Sequence, residues 1–470
     1  MEPIDPVFGT TVLLLIAAVS VAVLLFLIIK VKLHAFIALV LVSVLTAIAV
    51  GFPLGDIPDV LIYGFADTIA SVALLVGFGV MLGRLLEVTG GAQVLADTLI
   101  GRFGEKRAPF ALGVAALIFG LPIFFDAGLV VFLPIILTVA RRFRGSLLLY
   151  ALPAAGAFAA VHALMPPHPG PVAAGTFLDG DIGIIMLVNL PIAVVAWFVG
   201  SYLVSRVMGA RIDVAVPTYL FGEQNGGTDG GTDAGDGSTA TKVKSPSFAM
   251  VLGLLAIPFV LIAFNTILTT LVENGTLGED NKIVDLLILL GVTHVALLVT
   301  LLVAIVVLGT RGRSMDDTMS ILDDSLGPIC AIILITGAGG MFGGVLELSG
   351  IGEALTSSLS DLGIPLLLQA FVIATALRVA QGSATVALTT AAGLIASDAA
   401  GLGDVQIALL VTAIAAGATV LSHVNDSGFW LVSRFFEMDV KTTLKTWTVM
   451  ETTLGVSAFA VAAVLYPLVS

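Results

Sequence analysis

Charge is scarce in this chain. Only 11% of its 470 residues are Asp, Glu, Lys or Arg, against 58% hydrophobic residues, and the mean hydropathy is +1.12. A water-soluble globule of this size must present far more polar surface, so that class is excluded. With a net charge of −13, no nucleic-acid partner is expected. Cysteine is nearly absent as well. The single Cys330 excludes an internal disulfide and any cysteine-based metal cluster, and reads as a small packing residue. The start, "MEPIDPVFGT", lacks the basic region and cleavage site of a signal peptide, so 10–30 reads as a retained helix. What the chain has in abundance is apolar runs of about twenty residues, each long enough to cross a hydrocarbon core of about 30 Å. The expected fold is an all-α polytopic membrane protein, with the lipid bilayer as its surroundings.

Crossings are expected near 10–30, 33–52, 64–88, 148–165 and 183–206. A second set is expected near 247–271, 284–310, 327–348, 404–422 and 447–469. Between the sets, residues 207–246 are rich in Gly, Asp, Thr and Ser and read as a flexible linker. Two segments of 33 residues, 108–140 and 365–397, do not fit as simple crossings. As straight helices they would run about 50 Å, longer than the core is thick. Each has a polar or Gly-containing middle, "FFDAG" and "AQGSAT", so both are expected to be re-entrant hairpins. Irregular backbone at that depth requires surrounding protein or a wet cavity.

The two sets are copies. Residues 77–99 align without a gap on 337–359, with Gly77, Met81, Gly83, Leu86, Glu87 and Gly90 recurring 260 residues later. Each half, 1–206 and 247–470, then has five crossings plus one hairpin. An odd count inverts one half against the other. With the N-terminus outside, 18 of the 20 Lys and Arg residues fall on cytoplasmic ends or loops, all but Lys282 and Arg378, as the positive-inside bias requires. Both termini are thus expected outside the cell membrane and the linker in the cytoplasm. Two inverted repeats with interrupted helices are the plan of a secondary transporter.

Chemistry concentrates at the interruptions. "MPPHPGP" breaks the fifth helical segment of the first half (148–178) and "SHVNDSGF" its counterpart (404–436). Proline ends a helix because it has no N–H and its ring clashes with the preceding turn. The freed helix ends can hold ions: N-termini favour anions and C-terminal carbonyls favour cations. Asp126, in "PIFFDAG", stands mid-hairpin, where an aspartate costs roughly 2.5–3.5 kcal/mol on insertion scales, and is a candidate proton carrier. Asp426 faces the same choice between coupling and structure. Arg378 either clamps a substrate carboxylate through parallel hydrogen bonds or pairs with Asp126 or Asp426. Gln381, Ser383, Thr385, Asn425 and Ser427 supply neutral donors and acceptors suited to a polyhydroxylated ligand. His162, His168 and His423 titrate near neutrality and suit proton relay or substrate contact. No metal site is expected, since prolines interrupt "HALMPPH" and its spacing is not that of a zinc helix. His34 and His294 read as interfacial residues.

"GLPIFFDAGLVVFLPI", "HALMPPHPGPVAAG" and "SHVNDSGFW" together resemble the gluconate permease (GntP-type) family of proton symporters, within the larger ion-transporter superfamily. The likeness covers essentially the whole membrane part. It implies a transporter rather than an enzyme, without a cofactor, that takes up gluconate or a related sugar acid with protons. It also implies a homodimer whose hairpins and broken helices slide against a scaffold. A sodium-coupled carboxylate carrier would share this architecture. A channel would need a continuous polar pore, and an intramembrane hydrolase a nucleophile or metal set that is not found.

Overall fold

The computed structural model describes residues 4, 6–121, 124–143, 145–166, 168–217, 245–273, 277, 281–311, 313–351, 364–396 and 398–469. Most of the 207–246 linker lies outside them. Every regular element described is helical. Six helical stretches are long and apolar enough to cross a bilayer, or seven if one sharply bent pair counts as a crossing, and shorter apolar helices pack among them. The chain is a polytopic all-α membrane protein.

The first half runs α1 (Thr10–Ile29), α2 (Ala35–Val50), α3 (Ile57–Val88), α4 (Gly91–Phe103), α5 (Ala108–Gly120), α6 (Phe125–Arg142), α7 (Leu148–Leu164), α8 (Pro169–Phe177) and α9 (Ile182–Ala196). A π-helical stretch, Trp197–Leu203, carries α9 into α10 (Val204–Arg211). The second half runs α11 (Phe248–Glu273), α12 (Lys282–Gly291), α13 (Thr293–Ala304), α14 (Met315–Leu348), α15 (Leu366–Gln381), α16 (Ala384–Ile395), α17 (Asp404–Thr419) and α18 (Ser427–Phe435). It ends with α19 (Val440–Thr443), a π-helical stretch over Leu444–Thr448 and α20 (Val449–Leu465).

Helices α3 and α14 form the central seam, packed backbone to backbone. A Cβ on Gly64 would lie 2.6 Å from the Gly340 carbonyl oxygen, and one on Gly344 would lie 2.8 Å from the Gly64 Cα. Small residues at helix crossings give this close approach. α14 starts twelve residues before the expected crossing because Ser314 caps it. The Ser314 hydroxyl accepts from the Asp317 N–H at 3.1 Å, and the Asp317 carboxylate accepts from the Ser314 N–H at 3.2 Å.

One expected crossing, 284–310, is not straight. α12 and α13 meet at 77°, with Val292 extended (φ −58°, ψ 129°). The bend has a physical cause. Asn265 of α11 donates to the Ile288 carbonyl at 2.6 Å, and Gly291 lets the α11 backbone come close, since a Cβ there would sit 2.2 Å from the Leu261 oxygen.

The halves also interlock. α6 meets α18, where a Cβ on Gly428 would lie 3.2 Å from the Phe125 ring. α16 meets α8, where a Cβ on Gly170 would lie 3.2 Å from Leu388. Each half's broken segment therefore rests on the other half's paired helices.

Candidate functional site

Besides the bend at Val292, four helix interruptions come together around one cavity of about 480 Å³, within the range of roughly 300–1,000 Å³ usual for small-molecule sites.

Between α15 and α16 the chain turns at Gly382, whose φ of +81° suits glycine. A Cβ there would lie 2.2 Å from the Asn425 carbonyl oxygen, so only a bare backbone fits against the second break. Ser383 then caps α16, its hydroxyl accepting from the Val386 N–H at 3.3 Å.

The break between α17 and α18 is cross-braced. The Asp426 carboxylate caps α18, accepting from the Gly428 N–H at 2.9 Å. Thr448 donates to the Ser422 carbonyl at 2.5 Å, Trp447 donates to the Ser422 hydroxyl at 2.8 Å, and Trp430 donates to the Val424 carbonyl at 2.8 Å. Asn425 donates to the Val379 and Ala380 carbonyls at 2.9 and 3.3 Å, and the His423 Nε2 contacts the same Val379 oxygen at 3.0 Å. These last bonds satisfy carbonyls that the end of α15 would otherwise leave unpaired in a dry interior.

The break between α7 and α8 follows "MPPHPGP", with Met165 extended and α8 opening on Pro169. Asn189 of α9 donates to the freed Leu164 carbonyl at 2.6 Å, and its own oxygen accepts from Thr412 of α17. His168 leaves the cavity: its Nε2 lies 3.2 Å from the Gly120 carbonyl oxygen, and its ring meets that of His162 edge-on, 5.0 Å between centroids. At the fourth interruption α6 opens at Phe125, with Asp126 in its first turn.

The cavity is lined by Asp126, His162, Arg378, Gln381, Ser383, Thr385, Asn425, Asp426 and Ser427. Of the residues singled out in the sequence, His168 and His423 stand behind this lining. Arg378 is buried at 4% exposure and pairs with Asp426, while its other terminal nitrogen donates to the Gly382 carbonyl. Asp426 also accepts from Ser422. Of the pairings open in the sequence, the structure forms Arg378–Asp426.

Several lining residues carry no sequence signal for this role. Thr293 and His294 reach the cavity beside the bend at Val292. Tyr63, Asp67 and Glu347 come from α3 and α14, Trp447 from the π-helical stretch 444–448 and Glu451 from α20. Glu347 is legible only as the repeat mate of Glu87. Glu87 itself is elsewhere, paired with Arg84 and Arg141 at 3.1 Å each.

The N-terminal ends of α6, α13, α16 and α18 all contribute to the lining, through Phe125, Thr293, Ala384 and Ser427. Unsatisfied N–H groups and the helix dipole make such a convergence attractive to an anion. Buried polar atoms without a partner in the structure include the Arg378 Nε, the Gln381 and Asn425 side-chain oxygens and the His162 Nδ1. Buried polar atoms are normally paired, so orphans around a cavity indicate a polar ligand.

The model of the family described as GntP family permease matches residues 12–469. The inner membrane permease YgbN of Escherichia coli K12 is 38% identical, over 96% of this chain and 98% of its own. The Gnt-II system L-idonate transporter of the same strain is 35% identical, over 96% and 100%. Its high-affinity gluconate transporter is 35% identical, over 94% and 97%.

Proposed function

The chain belongs to the GntP permease family and is a membrane transporter rather than an enzyme; from that premise we propose that it takes up gluconate or a closely related sugar acid by proton symport. The observation that carries the reading is the cavity itself, where four helix N-termini and the single arginine Arg378 meet partnerless amide, imidazole and guanidinium atoms. A sugar acid is an anion at one end and a row of hydroxyls along the rest. The helix ends and the Arg378 Nε take the carboxylate, and Gln381, Asn425, Ser383, Thr385, Ser427 and His162 take hydroxyls. Asp126 carries the coupling proton. Asp426, tied to Arg378, and His423, tied to the Val379 carbonyl, are held in structural roles and are the less favoured carriers.

In this reading the halves 1–206 and 247–470 are inverted repeats and the helix pairs at 108–140 and 365–397 are re-entrant hairpins. The hairpins and broken helices move together against a scaffold built on α3 and α14, in a homodimer. Both termini lie outside and the 207–246 linker lies in the cytoplasm. The interlock of each break with the opposite half's helix pair supports one moving body.

The test is uptake of labelled gluconate, L-idonate and other aldonates into proteoliposomes, with and without an inward proton gradient. Accumulation that follows the proton gradient and ignores replacement of sodium is expected. Accumulation driven only by sodium would favour the sodium-coupled carrier, and no uptake of any aldonate would remove the substrate class.

A further inference from the structure

Glu451 is the buried carboxyl that no role so far uses. It lies in the first turn of α20, directly after the π-helical stretch 444–448, and π-helical stretches are frequent at functional sites. Trp447, one turn earlier on the same face, is tied to Ser422 inside the second break. That bond fixes the helix register and sets Glu451 against the cavity it lines. The side chain is 4% exposed, and its Oε1 is buried without a hydrogen-bond partner.

The charge balance of the cavity makes this position informative. Arg378 is the only Lys or Arg among the lining residues, and Asp426 already holds it. The elements around α20 bring Asp126, His162, Arg378 and Asp426 to the same space. Asp67 and Glu347 line the same cavity from α3 and α14; beside the Arg378–Asp426 pair, Asp126 and Glu451 are the two carboxyls left without an ion-pair partner among the described residues, in the place where an anion must bind. Two like charges beside a bound carboxylate in a low-dielectric site oppose its binding strongly. Neutralising only Asp126 leaves Glu451 as a buried, unpaired charge.

We infer that Glu451 is a second proton-binding carboxyl of the transport cycle, so that about two protons accompany each monovalent sugar acid and the cycle moves net positive charge inward. This rests on the proton-symport reading above. The protons add to the two carboxylates as the anion enters and leave when the cavity opens to the other side, with no bond made or broken in the substrate.

The test uses purified full-length protein in proteoliposomes, following labelled gluconate and an internal pH dye together. Wild type should move about two protons per gluconate, and an inside-negative potential should accelerate uptake. Glu451→Gln, which keeps the shape and fixes the neutral form, should exchange gluconate for gluconate, move about one proton per substrate and lose its acceleration by potential. A Glu451→Gln ratio equal to that of wild type would overturn the role of Glu451 while leaving proton symport standing. Gluconate uptake by wild type without accompanying protons would overturn both. Should Glu451→Gln fail to fold, Glu451→Asp keeps a titratable group but draws it back by one methylene. A displaced pH profile of transport in that variant supports the inference, and a profile superimposable on wild type overturns it.

Discussion

Replacing Gly382 by alanine tests whether the site depends on the contact between the α15–α16 turn and the second break. The native φ of +81° costs an L-residue about 1–2 kcal/mol. The added methyl would also stand 2.2 Å from the Asn425 carbonyl oxygen and 2.7 Å from its carbon. That is more than an ångström short of ordinary contact, and the neighbours are backbone, which cannot rotate away. Overpacking of this kind costs about 1–3 kcal/mol, so the whole penalty is about 2–5 kcal/mol. The relaxation open to the protein is to part the turn from the break, which moves the Gly382 carbonyl off Arg378 and misaligns the start of α16. Displacements near 1 Å in a positioned site can lower function about 100-fold. The assay is gluconate uptake in proteoliposomes beside the melting temperature of the purified protein. Gly393→Ala is the control in the neighbouring helix: nothing lies within 4 Å of its would-be Cβ, so transport should be unchanged and stability equal or up to about 1 kcal/mol higher. Wild-type transport and melting in Gly382→Ala, or equal losses in both variants, would refute the reasoning.

Asp126→Asn should still bind and exchange sugar acid but lose accumulation driven by a pH gradient, and its binding should depend less on pH; gradient-driven accumulation at the wild-type level removes Asp126 from coupling. Arg378→Lys keeps the charge but cannot span both Asp426 and the Gly382 carbonyl, so gluconate affinity should fall at least tenfold. A variant with a lower melting temperature and unchanged affinity would mark Arg378 as purely structural. On a Cys330→Ser background, a cysteine at Asn274 should react with an impermeant thiol reagent on intact cells and one at Thr232 should not. The reverse pattern overturns the proposed orientation.

The all-helical membrane character was legible because apolar length and scarce charge leave no other solution in a bilayer. Helix ends near 121–124, 165–168, 381–383 and 420–426 fall on Pro, Gly and polar residues, whose effect on a helix is local and therefore visible in one dimension. The bend at Val292 was not legible. "LLGVTH" contains no proline; Gly291 only leaves room, and the agent is Asn265 on another helix. The same bend brings His294 to the cavity lining, a role the sequence does not signal. Glu451 was hidden for a related reason: in "WTVMETTLGV" it reads as a polar residue near a helix end, and only the π-helical register and the Trp447–Ser422 bond turn it to the cavity. The start of α14 is not legible because its capped first turns, "SMDDTMSILDDS", are polar and outside any apolar window. The Arg378–Asp426 pair stood among the alternatives, but choosing it required the turn at Gly382.

His423 and Asn425 hold the tail of α15 by its carbonyls, while Asp426 holds Arg378 on the same helix. Those three positions of one short turn and the α15 end thus behave as one rivet rather than as separate contacts. Damage at any of them reaches the others, so transport lost in Asn425→Ala does not identify a hand on the substrate. Combined substitutions in this cluster should cost far less than their individual losses added together. A ligand contact, the role proposed for the Gln381 oxygen, should instead reveal itself by discriminating between aldonates that differ in a single hydroxyl, a signature that a rivet does not have.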